Sequence, residues 1–235
     1  MVVKEDLWSK YYWIKEHISS RVVFYNGRSF GHKTLESYLP DTVFKHYLKI
    51  FMPFYIDAIE INTKNEDVVL KNNIMNASLI EAKHLASNLD IRYDSSFGFG
   101  KLIGKFGYIP KGIYLFEEEN YKYLSKIIEI LNEVNNKICY FVGDANDGKF
   151  DINIIDGYDS WIEQSDILQL MKYYTTLPYR LPSYSWNENK SWCIVSPEDI
   201  DEYIIIACDD QIYNKLTSSN IDLMPITYND KFISM

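Results

Sequence analysis

Tyr203-Ile204-Ile205-Ile206-Ala207-Cys208 is the segment that most limits how this chain can fold. A short, uncharged run rich in isoleucine, bounded by polar residues, reads as a strand covered on both faces. Trp192-Cys193-Ile194-Val195, just upstream, has the same character. Both runs are too apolar to lie on the surface, so the C-terminal end must supply interior strands of a sheet. Between them, Ser196-Pro197-Glu198-Asp199 has the composition of a helix N-terminus, with proline at the first position. Asp209 is placed to cap a helix, and the short run Leu223 to Ile226 follows it. This closing α/β unit contains no catalytic motif.

The remainder of the second half alternates strand and helix. Ile113 to Phe116 is expected as a strand. A helix is expected over 118–134, with Tyr121, Leu124, Ile127, Ile128, Leu131 and Val134 on its apolar face. It should pack on a sheet containing 138–142 and 203–208. Asn146-Asp147-Gly148 should turn the strand at 138–142 into Phe150 to Ile155, a hairpin that makes the sheet at least partly antiparallel. A helix over 162–174 runs through Ile167, Leu168, Met171 and Tyr174, and Leu177 to Trp186 is a Pro- and Tyr-rich connector.

The first half reads as helix-rich. Apolar residues recur at helical spacing over 4–19, and a β-prone run, Arg21 to Tyr25, ends at the turn dipeptide Asn26-Gly27. A second helix is expected after Pro40-Asp41, with Val43, Phe44, Tyr47, Leu48 and Phe51 on one face and an end near Pro53. Tyr55 to Ile61 reads as a strand. Ser78-Leu79-Ile80-Glu81 has the form of a capping box opening a helix to about Leu89. Four glycines beside Phe97, Phe99 and Phe106, with Pro110 after them, mark a mobile loop or junction. The expected class is α+β: a mixed or antiparallel sheet flanked by helices, with a helix-rich N-terminal half. The chain is one domain over 1–235, or two lobes, 1–92 and 112–235, joined by the Gly-rich segment 93–111.

Charge narrows the partners. The sequence carries 33 Asp and Glu against 24 Lys and Arg, a net charge of −9. Its densest basic run, Lys101 to Lys111, spreads its lysines among glycines and aromatics. Nucleic acid and anionic membranes demand a basic footprint, so neither is expected as a partner. An acidic protein steers a basic one instead. Cys139, Cys193 and Cys208 are widely spaced and odd in number, which fits free thiols in a reducing cytoplasm. The start, Met1-Val2-Val3-Lys4-Glu5-Asp6, lacks a signal-peptide core, and no apolar run approaches the ~20 residues that span a bilayer.

Gly98-x-Gly100-x-x-x-Gly104 follows polar residues rather than a buried strand, and Pro110 leaves little room for a following helix, so it reads as a loop rather than a dinucleotide site. Asp144-Ala145-Asn146-Asp147-Gly148 has glycine one position early for a calcium loop and Ile155 where the bidentate glutamate belongs. His17, His32, His46 and His84 form no metal or catalytic spacing. His32, in a loop, is the one candidate for a cryptic hydrolase triad, with Ser29 or Ser95. No catalytic, cofactor-binding or metal residue is therefore assigned, and an enzyme is the less favoured reading. The acidic clusters fall at strand ends of the second half. Glu198, Asp199, Asp209 and Asp210 could gather beside Tyr158, Trp161, Tyr184 and Trp186 as an acidic, aromatic face for a basic protein partner.

The usage of Lys, Asn, Ile and Tyr resembles that of low-GC Gram-positive bacteria. The pattern Trp192-Cys193-Ile194, Asp199-Ile200-Asp201 and Tyr203 to Cys208 resembles the ends of uncharacterised and immunity-type proteins of such genomes. That resemblance covers about forty residues. It implies an acidic α+β protein that neutralises a co-encoded toxin by direct contact, and it transfers no functional residue. The expected function is a non-enzymatic immunity or antitoxin-like protein, or a mobile-element-encoded inhibitor, masking a basic toxin or enzyme. The alternatives are a small hydrolase built from scattered loops and a small-ligand binder behind the 95–110 segment.

Overall fold

The computed structural model describes residues 7–21, 23–25, 28–30, 34–57, 77–110, 112–134, 138–144, 153–155, 158–176, 181–197 and 200–231. The strands are β1 (Val23–Tyr25), β2 (Arg28–Phe30), β3 (His46–Phe51), β4 (Phe54–Ile56), β5 (Ser78–Ile80), β6 (Ile113–Leu115) and β7 (Cys139–Asp144), then β8 (Asn153–Ile155), β9 (Tyr158–Ser165), β10 (Tyr184–Asn187), β11 (Trp192–Val195), β12 (Tyr203–Cys208) and β13 (Leu223–Ile226). The helices are α1 (Tyr12–Arg21), α2 (Ala82–Asn88), α3 (Phe99–Phe106), α4 (Glu117–Asn132), α5 (Gln169–Thr176) and α6 (Asp210–Thr217). Eight strands form one sheet in the order β13-β3-β12-β11-β10-β7-β9-β8, and β5-β4-β6 form a smaller one. Every pairing is antiparallel.

The register sorts the large sheet into two faces, because successive side chains along a strand point oppositely. His46, Leu48 and Ile50 on β3 align with Cys208, Ile206 and Ile204 on β12. His46 stacks on Tyr213 of α6, so this face lies under α6, with α4 packed beside α6 and α5 beside α4. Tyr47, Lys49 and Phe51 align with Ala207, Ile205 and Tyr203 on the opposite face. There Phe97 covers Phe51, and Tyr11 and Trp13 from the N-terminal helical segment cover Trp186. All six residues of β12 are buried, as the apolar run requires. Burying each of its three isoleucines contributes about 1.5–3 kcal/mol relative to exposure. Asp209 caps α6 as expected, its carboxylate accepting from Ile212 N at 3.0 Å.

The N-terminal half is not helix-rich: among the described residues its strands, β1 to β6, outnumber its helices, α1 to α3. The expected helix after Pro40-Asp41 is instead β3, the strand between β12 and β13. The apolar spacing of Tyr47, Leu48 and Phe51 suits a helix face, but Ile50 is fully buried as well, so neither side of the segment faces water. Strand β3 also joins 46–51 to the C-terminal strands, so the segments read as two lobes share a sheet. The capping-box reading fails in a similar way: Ser78–Ile80 is β5, paired with β4, and α2 starts after Glu81. The expected hairpin between 138–142 and 150–155 does not form, because β7 pairs with β9 and β10 while β8 pairs with β9. Its acidic turn, 145–148, lies outside the described residues. Part of the expected 162–174 helix is the end of β9, and the Pro-rich connector contains β10.

Residues 95–110, read as a loop, contain α3. The helix begins at Phe99 and ends where Gly107 takes a left-handed φ of 76°, a conformation glycine adopts without Cβ strain. It fits before Pro110 because it is only eight residues long.

Candidate functional site

Lys49 of β3 and Glu202, the residue before β12, bring opposite charges into the interior. Lys49 is fully buried and Glu202 is 6% exposed. Burial of an ionised group is costly unless polar partners replace water. Lys49 Nζ donates to the carbonyls of Ser95 at 3.1 Å and Phe97 at 2.5 Å, and lies 3.6 Å from the centre of the Tyr203 ring. Glu202 Oε1 accepts from Phe99 N at 3.0 Å, at the first turn of α3, where a helix dipole favours negative charge. Both side chains thus spend their polarity on the backbone of one segment, 95–99.

Desolvation dominates both titrations. It lowers the Lys49 ammonium to about 7, against the opposing attraction of Glu202 and Asp94. It raises the Glu202 carboxyl, although its own backbone N–H, Phe99 N–H and Lys49 pull it the other way. Perturbed groups of opposite type in one place are a mark of functional sites. Gly98 makes the approach possible: a Cβ there would lie 2.8 Å from Glu202 Oε1 and 3.4 Å from Tyr203 Cε1. Phe51, Phe54, Tyr93 and Phe97 pack around the pair as ring contacts of 5.7–6.4 Å.

The covering segment is internally tied. Asp94 accepts from Ser96 N and Oγ and from Lys101 Nζ, the last at 2.6 Å, and Lys101 also donates to Arg92 O. These bonds hold the Asp94 carboxyl below its ordinary value against desolvation. Lys105 donates to the carbonyls of Leu89 and Asp90.

A second polar group joins the smaller sheet to the larger. Asp222 accepts from Ala82 N at 2.6 Å, and Asp222 N donates to the Tyr123 hydroxyl. Burial raises the Asp222 carboxyl and, with help from Asp222 and Glu81, the Tyr93 phenol.

The residues expected to form a partner face do not all reach the surface. Tyr184 and Trp186 are buried, Trp186 at 1% exposure between Tyr11, Trp13 and Tyr140. They serve the core, because an interior strand of this sheet has helices on one side and the N-terminal segment on the other. Tyr158 and Trp161 have their backbones in β9, with side chains outside the described set, and Glu198 and Asp199 lie outside the described residues. Asp209 acts as the α6 cap. Asp210 is exposed and meets Lys45 at 2.5 Å and His46 at 2.8 Å, so its charge is answered within the chain. The tested histidines are also occupied: His17 bonds to Glu36 O and His84 lies 3.5 Å from Glu81. His32 is outside the described residues; of its two suggested partners, Ser29 has its backbone in β2 and Ser95 presents its carbonyl to Lys49.

Cys139, Cys193 and Cys208 are buried free thiols. Desolvation pushes Cys139 and Cys208 up to about 12 and Cys193 higher still, the reverse of what a thiolate nucleophile needs. Among the described residues no three His, Cys, Asp or Glu converge to hold a metal, and no helix is long and apolar enough to cross a membrane. The fold defines an α+β protein with antiparallel sheets. No family model matches the chain, and neither does any curated protein or solved structure. Lys49 was missed as a site residue; its signal was a lone charge inside an otherwise apolar strand.

Proposed function

We propose that the chain is a non-enzymatic acidic binding protein of the immunity or antitoxin type, or a mobile-element-encoded inhibitor, which masks a basic protein. The observation that carries this reading is the charge of −9, which steers association with a basic partner and repels anions. Tyr184 and Trp186 are replaced as anchors by exposed side chains on α4 and the turn before α5. Tyr121 is 40% and Leu168 56% exposed, with Glu118, Glu129 and Asp166 exposed on the same two elements. Helices α4 and α5 are packed together through Tyr121–Tyr174 and Ser125–Met171 contacts.

Surface plasmon resonance against the product of the neighbouring gene, over a salt series, tests the reading. Association should slow steeply as salt rises, and Glu118→Gln with Asp166→Asn should slow it further at low salt. Tyr121→Ala should instead speed dissociation, by ~2 kcal/mol or more if it is an anchor. Absence of binding, or binding indifferent to salt and to the acidic substitutions, refutes the proposal.

A further inference from the structure

We propose that residues 91–106, the 92–98 loop with α3, form a flap that opens from the sheet as a unit, and that its closure is coupled to loss of the Lys49 proton. Three observations place the flap. Its ends are marked by left-handed residues, Asp90 with φ 51° and Gly107 with φ 76°, where a chain can swivel with little change elsewhere. It holds itself together through Asp94, Ser96, Lys101 and Arg92, and Lys105 ties its last turn to the Leu89 and Asp90 carbonyls at the hinge. Its polar anchors to the sheet include two ionisable groups, Lys49 on the Ser95 and Phe97 carbonyls and Glu202 on Phe99 N. The apolar anchors are Phe97 and Leu102, both buried.

Opening would return Lys49 to water. Glu202, just before β12, and the Tyr203 ring at its start face it, the loop presents Asp94 and two carbonyls, and α3 presents Lys101. Tyr47 on β3 turns its hydroxyl to Phe44 O, and Tyr93 lies against Phe51. The two carboxylates attract the ammonium, but loss of hydration outweighs them and leaves the closed-state group titrating at about 7. A hydrated lysine holds its proton to about 10.4. The open form therefore binds more protons than the closed form between these values, and closure strengthens as pH rises through that window. Below it both forms are protonated and the dependence ends. Glu202 works oppositely at lower pH, since its raised carboxyl favours the closed form when neutral.

Hydrogen–deuterium exchange of the intact chain from pH 6 to 10, with each amide corrected for its intrinsic rate, tests the flap. Once off the sheet an eight-residue helix does not persist in water, so amides of 97–106 should gain protection by about tenfold per pH unit above 7 and stay level just below it. At every pH they should exchange faster than those of β11 and β12, which report global opening. Lys49→Met should abolish the slope in 97–106, while Glu202→Gln should keep it above pH 7. The proposal is overturned if 97–106 exchange only as fast as β12, if wild-type protection is flat between pH 7 and 10, or if the slope survives in K49M. Should K49M not fold, Lys49→Arg, which keeps its proton over the whole range, takes its place and must likewise abolish the slope.

Discussion

Replacing Gly98 by alanine isolates the fit between α3 and the buried glutamate. The backbone φ of 161° is extended and open to any residue, so the cost comes from contact alone. A Cβ at this position stands 2.8 Å from Glu202 Oε1, closer than real Cβ atoms come, while the 3.4 Å approach to Tyr203 is tolerable. Glu202 is pinned by Phe99 N and has no free space, so it must give up that bond. Loss of a hydrogen bond to a charged acceptor costs about 1.5–3 kcal/mol. Reduced freedom of the unfolded chain returns about 0.4–1 kcal/mol. Gly98→Ala should therefore destabilise the protein by about 0.5–2.5 kcal/mol. In a Glu202→Ala background the obstructing carboxylate is gone, and the same substitution should be neutral to stabilising, by up to about 1 kcal/mol. Urea denaturation followed by the fluorescence of buried Trp186 and Trp192 measures all four corners of the cycle. Equal destabilisation in both backgrounds would show that the clash with Glu202 is not the cause.

Global stability should carry the signature of Lys49. Because its folded-state value is about 7, below the ordinary lysine value of about 10.4, the native state binds fewer protons across that interval. Stability then rises by up to about 1.4 kcal/mol per pH unit, and urea midpoints of K49M should lack that rise. Trp186→Ala should cost about 3–5 kcal/mol, as a core aromatic and not a partner anchor, which thermal or urea unfolding reads directly. Asp209→Ala removes the α6 cap and should cost ~1 kcal/mol, whereas Asp210→Asn should leave the midpoint unchanged because that residue lies exposed at the surface.

Sequence reading succeeded where burial and secondary structure made the same demand. The runs at 192–195 and 203–208 are strands at those bounds, and α4, expected over 118–134, occupies Glu117–Asn132. It failed at β3, where burial on both faces erases the alternation that distinguishes a strand, leaving aromatic and aliphatic residues that equally suit a helix. It failed at α3 for a different reason. Gly104 has nothing within 4 Å of a Cβ position, so its lack of a side chain forfeits no packing there, and the apolar contacts come from Leu102 and Phe106 instead. The site stayed hidden for the same reason as β3. Read as helical, Lys49 falls outside the apolar face, and Glu202 disappears among neighbouring acids. Only the register opposite β12 shows Lys49 turned inward.

Strand β13 is one rim of the large sheet, and its proline has a consequence for how these molecules behave at high concentration. Phe51 N donates to Asp222 O at 3.0 Å, so the alternation of antiparallel bonding puts Lys49–Met224 and Tyr47–Ile226 in bonded pairs. Pro225, opposite Leu48, then faces outward with no N–H to offer. A strand from another molecule approaching this rim finds the ladder interrupted at its midpoint, and the ring stands in the path of close approach. The rim is thereby a poor template for edge-to-edge growth into fibrils, and Pro225→Val would restore the missing donor.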